Sequence, residues 1–161
     1  MQEILVELQG LLSAALTTQF KKYYVGYIKR PPQAYLPILF IYPISTELVS
    51  DKLSTSKDRY SYTIGIGIIM NQYKYANVTA ADETDKIVKI QQAAWLAMED
   101  RTSGVPIAAS ILGVIRRNIR GTNFLFSQNV KIDYDEMIVG ESAYYKATMT
   151  LTFVTDLSTR P

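Results

Sequence analysis

The chain has 161 residues, 48% hydrophobic and 20% charged, with 17 Lys and Arg against 15 Asp and Glu. That composition fits a single globular domain over 1–161, and its bulk charge is too small to draw it to nucleic acid or a membrane. Cysteine and histidine are both absent, which excludes disulfides, thiolate nucleophiles, Cys/His metal sites, imidazole bases and Ser-His-Asp triads.

In "MQEILVELQGLLSAALTTQF" the apolar residues Ile4, Leu8, Leu11, Leu12, Ala15 and Leu16 recur at helical spacing, which predicts an amphipathic helix. Glu3 and Glu7 stand where a secretory leader carries basic residues, so a soluble protein made in the cytosol is expected. No apolar run approaches the roughly 20 residues of a membrane-spanning helix. The helix gives way to a polar and aromatic connector, in which Lys29-Arg30-Pro31-Pro32 forbids helix. "LPILFIYPI", 36–44, reads as a short strand, either covered on both faces or at a sheet edge. The polar stretch 46–57 reads as a loop.

"DRYSYTIGIGIIMN" alternates with period two and predicts the longest strand. Tyr60, Tyr62, Ile64, Ile66, Ile68 and Met70 share its core face; Ser61, Thr63, Gly65, Gly67 and Ile69 share the other. Glycine inside a strand marks a bulge or a close approach, so Gly65 and Gly67 are expected beneath either a tightly packed helix or a neighbouring subunit. They form no phosphate loop, because "GIG" sits in mid-strand rather than at a strand-to-helix turn.

A second helix is expected to start near Thr79 and Asp82 and to run through Ile87, Ile90, Ala94, Ala97 and Met98, with Gly104 and Pro106 closing it. After it, period two in "SILGVIRRNIR", "FLFSQNVKIDYDEMI" and "SAYYKATMTLTFVT" predicts three strands, the last two joined as a hairpin around Val139-Gly140-Glu141. The predicted fold is α+β: a mostly antiparallel β-sheet with two main helices packed on one face.

Paired acids, Asp82, Glu83 and Asp85 or Asp133, Asp135 and Glu136, are chiefly a helix start and a strand's polar side. A metal site there is only a weak reading, and no metal or other cofactor is expected. Basic residues cluster as Lys21-Lys22, Lys29-Arg30 and Arg116, Arg117 and Arg120, the first two with Tyr23, Tyr24, Tyr27 and Tyr35 interleaved, and basic and aromatic groups together can bind nucleic acid. With 12 tyrosines in a nearly neutral chain, protein–protein contact fits better.

The arrangement resembles the tail-terminator, or tail-completion, proteins of long-tailed bacteriophages. The likeness rests on the N-terminal helix running into "YYVGYIKRPPQAYLPILFIYPIS", the "DRYSYTIGIGIIM" strand, the "ETDKIVKIQQAAWLAMED" helix and the closing "YYKATMTLTFVTDLS" strand. It covers nearly the whole chain by order and texture and carries no catalytic signature. It implies a non-enzymatic subunit of a homo-oligomeric ring, commonly a hexamer. Such a ring caps the head-proximal end of the tail tube, stops its polymerisation and offers a surface to the head connector. The protein would be assembled in the host cytoplasm and sit in the virion tail. Subunit or tube contacts are then expected at Tyr60, Tyr62, Gly65, Gly67, Tyr144, Tyr145 and Lys146, and in the 46–57 stretch. Arg116, Arg117 and Arg120 are expected to face a DNA channel or form inter-subunit ion pairs. A head-completion protein, and from another class a nucleic-acid-binding or metal-dependent nuclease domain, remain as alternatives.

Overall fold

A computed structural model describes residues 1–49, 59–71, 83–100, 109–118, 125–139 and 142–155. They fold as α+β around a five-stranded sheet. The elements are α1 (Gln2–Ala15), β1 (Lys22–Val25), a 3-10 turn (Gln33–Tyr35), β2 (Ile38–Val49), β3 (Arg59–Asn71), α2 (Glu83–Glu99), α3 (Ile111–Arg117), β4 (Leu125–Val139) and β5 (Ser142–Thr155). Sheet order is β1-β2-β3-β5-β4. Only the β1–β2 pair is parallel; β2–β3, β3–β5 and β5–β4 are antiparallel.

Alternation along each strand sends side chains to opposite faces, and the two faces carry different cores. On one, Ile4, Leu8 and Leu12 of α1, Ile90, Ala94 and Met98 of α2, and Ile111, Leu112 and Ile115 of α3 bury the expected stripe of β3, Ile64, Ile66, Ile68 and Met70. Leu39 and Ile41 of β2 and Ala147, Met149, Leu151 and Phe153 of β5 complete it. Each fully buried branched side chain contributes about 1.5–3 kcal/mol relative to exposure. The opposite face holds a smaller core of Leu36, Ile38, Phe40, Ile69 and Tyr144, with Tyr24, Ile28 and Tyr42 packed against it. Ile38–Ile41 of this segment are therefore covered on both faces and flanked by β1, as one reading of its continuous apolar run predicted, whereas Pro43 and Ile44 are exposed.

Three local expectations are corrected. "SILGVIRRNIR" is not a strand: 111–117 is helix α3, capped by Ser110, whose hydroxyl accepts from Gly113 N–H at 3.1 Å. The connector after α1 contains β1, and Thr46–Val49 continue β2 instead of opening a loop. The expected start of α2 at Thr79 and Asp82, its stop at Gly104 and Pro106, the turn residues Gly140 and Glu141, and the rest of the 46–57 stretch lie outside the described residues.

β1 ends at Gly26, whose φ of 121° is open to glycine and strained for other residues. Its N–H donates to the Ile41 carbonyl at 2.7 Å. From this corner the chain runs over the outer face, bringing Tyr27 and Ile28 onto the second core.

Candidate interaction surface

The outer face is built on a glycine gap filled by aromatic rings. Gly67 lies directly opposite Phe40, and Gly65 opposite Tyr42, in the β2–β3 ladder. A Cβ on Gly65 would stand 2.6 Å from Tyr42 Cε1, and one on Gly67 would stand 2.8 Å from Phe40 Cε2. The nearest neighbours in the space above the glycines are not those of a helix. They are side chains of the adjacent strand, which corrects the expectation of a tightly packed helix: the close approach that Gly65 and Gly67 mark is to Tyr42 and Phe40. Phe40 and Tyr42 stack with ring centroids 5.6 Å apart, and Tyr27 meets Tyr42 edge-on at 5.1 Å.

Polar groups flank this cluster. Lys146 Nζ donates to Tyr27 Oη at 3.2 Å and lies 5.0 Å from the centre of the same ring. Burial pushes the Tyr42 phenol above its ordinary range, against the opposing pull of Lys146. On the neighbouring strand Lys131 Nζ pairs with Asp133 at 3.0 Å, both side chains more than half exposed. Among the described residues no group of three or more acidic side chains is placed to hold a metal ion.

The other expected contact residues are scattered. Tyr144 is buried in the outer core, where Gln33 Nε2 donates to its hydroxyl at 3.2 Å. Tyr145 is buried in the helix-side core, and burial, then Glu136 and Asp135, raise its phenol pKa. Neither tyrosine is exposed in the folded chain. Lys146 remains half-exposed on the outer face. Tyr60 and Tyr62 are half-buried and stack at 6.1 Å on the helix-side face, toward the end of the sheet that carries Leu48. Arg116 and Arg117 are exposed in the last turn of α3, where cations complement the helix dipole; Arg120 lies outside the described residues. Adjacency in sequence had grouped Tyr144 with Tyr145, and strand alternation sends them to opposite faces.

Sequence reading allowed a sheet edge at 36–44 but did not place the edges along β2 and β4. β1 pairs with β2 only as far as Ile41, so among the described residues β2 has an open side from Pro43 onward. Pro43 is suited to that place, having no N–H to leave unpaired. The ladder with β3 shifts between Pro43 and Ser45, making Ile44 the extra residue of a bulge. At the other end of the sheet the outer side of β4 is open along its length; among the described residues no strand pairs there. The two edges expose large apolar side chains: Ile44 (49%) and Leu48 (56%) on β2, and Tyr134 (37%) on β4. A groove of about 420 Å³ lies elsewhere, between the end of α1 and α2, lined by Phe20, Met70, Ala93, Leu96, Ala97 and Asp100 among others.

No family model and no curated protein sequence matches the chain. Among the described residues no helix is long and apolar enough to cross a membrane.

Proposed function

We propose that this chain is a structural, non-enzymatic subunit of a phage tail-terminator ring that acts by binding geometry: it caps the head-proximal end of the tail tube, stops its polymerisation and presents a surface for head joining. The observation that carries the reading is the pair of dissimilar open edges at opposite ends of one sheet. A head-to-tail ring requires two different patches per subunit, and a rotation per subunit that closes. The order of helix, strands, helix and closing hairpin supports the same reading through the sequence resemblance. Its partners are other copies of itself, as a ring that is commonly hexameric, the tail-tube protein and the head connector, with DNA passing through the channel. Its place is the virion tail after assembly in the host cytoplasm.

Two measurements test this. Purified protein should gain the mass of a closed ring, alone or on addition of tail-tube protein. Phage lacking the gene should make abnormally extended tubes, and tails of normal length in its absence would overturn the terminator role. DNA affinity that falls steeply with salt, or cleavage that needs a divalent metal, would favour the nucleic-acid reading instead.

A further inference from the structure

We propose that the open edge of β4 in one copy pairs with the open edge of β2 in the next, antiparallel, with Lys131 opposite Glu47. The inference rests on the ring-subunit reading and deepens it by naming the contact.

Strand direction permits it. Across the sheet β2 runs opposite to β3, β3 opposite to β5, and β5 opposite to β4. β4 therefore runs opposite to β2, and a second copy set beside the first in the same orientation places its β2 antiparallel to β4, with the helices of both copies on one side. A strand of another chain added at an open sheet edge satisfies its backbone groups, and an antiparallel ladder is slightly more stable per residue than a parallel one.

Register follows from side-chain chemistry. In β4, Val130 and Ile132 face the helix-side core, and Lys131 and Asp133 face outward. In β2, Thr46 pairs with Tyr62 and Leu48 with Tyr60 on the helix side, while Ser45 pairs with Thr63 and Glu47 with Ser61 on the outer side. Setting Glu47 opposite Lys131 keeps both faces matched. Leu48 then meets Val130, Thr46 meets Ile132, and Ile44 comes opposite Tyr134. Outward, Ser45 meets Asp133, and Lys131, already on Asp133, gains a second carboxylate. The register covers Ile44, Leu48 and Tyr134, the large apolar side chains exposed on these edges among the described residues, and adds one opposite-charge pair. Each such cross-strand pair is worth about 0.2–1 kcal/mol. A shift of one residue would set the apolar side chains against the charged face. The contact ends where β1 begins on the β2 edge, so Met137–Val139 must splay from the next copy.

The cysteine-free chain makes the test direct. Glu47→Cys and Lys131→Cys proteins, mixed and oxidised with and without tail-tube protein, should cross-link to each other. Glu47→Cys/Lys131→Cys should form a covalent ladder of multimers, because β2 and β4 of one chain are three strand spacings apart, about 14 Å, too far for an internal disulfide. Both positions are exposed, and an unchanged circular dichroism melt verifies folding. Glu47→Lys alone and Lys131→Glu alone should weaken self-association about three- to tenfold, and the two changes together should restore it. Cross-linking of Ile132→Cys to itself would show β4 meeting β4 across a two-fold axis and overturn the proposal, as would monomers with no cross-link under either condition. Rings lacking the 47–131 cross-link would refute this contact and leave the ring reading standing. The cross-link with unaltered tail length in phage carrying disrupted edges would refute the terminator role and leave the contact standing.

Discussion

Gly65 and Gly67 are small because the rings of Tyr42 and Phe40 already fill the space a side chain would take. Gly65→Val or Gly67→Val should therefore impair folding before assembly, lowering stability by about 1–3 kcal/mol through overpacking in denaturant melts. Gly67→Ala paired with Phe40→Leu should cost less than the sum of the two single changes, since the smaller ring-free side chain yields the room the methyl needs. Three phenols, Tyr42 beside the glycines and Tyr23 and Tyr145 in the helix-side core, carry a pH signature. The phenols of Tyr23, Tyr42 and Tyr145 are raised, in each case chiefly by burial, so the folded state holds these protons more tightly than the unfolded chain. Their contribution is complete below the unfolded value of about 10 and is lost as pH rises through the higher folded values. Melting temperature should fall on the alkaline side, and Tyr42→Phe, which keeps the ring over Gly65, should make the fall shallower.

At the scale of elements, α3 shows how a short segment carries two periods at once. Ile111, Gly113 and Ile115 alternate as a strand would, yet Ile111, Leu112, Val114 and Ile115 also fit one broad helical face, and all are buried. The Ser110 cap and the core waiting on several sides decide for helix. Ser110→Ala should cost about 1 kcal/mol by removing the acceptor for Gly113 N–H, measurable as a lower denaturant midpoint with unchanged slope. β2 behaves in the opposite way. Its N-terminal half is interior and apolar on both faces, whereas past Pro43 it becomes an edge, and its exposed Ile44 and Leu48 are intelligible only once the end of β1 is known.

For the molecule as a whole, the centre of the sheet should be its most protected part. β3 and β5 are paired on both sides and packed between two cores, so amides of 64–70 and 147–151 should exchange slowest with deuterium. Amides pointing from the open edge of β4 should exchange readily in isolated subunits and slow on assembly. Unchanged exchange along 130–134 in a ring would contradict pairing at that edge.

The sequence by itself determined the α+β class, both longer helices, and the inward stripe of β3, because periodic apolar spacing is a local record of which face is buried. The absence of Cys and His also settled which chemistries are unavailable. Tertiary structure decided what local spacing does not encode: that Phe40 and Tyr42 sit across from the glycines, that Tyr144 and Tyr145 are each buried on a different face, and that β2 and β4 end in open edges. Those facts depend on strand order and register, which are set by contacts between residues far apart in the chain and leave no period in the sequence.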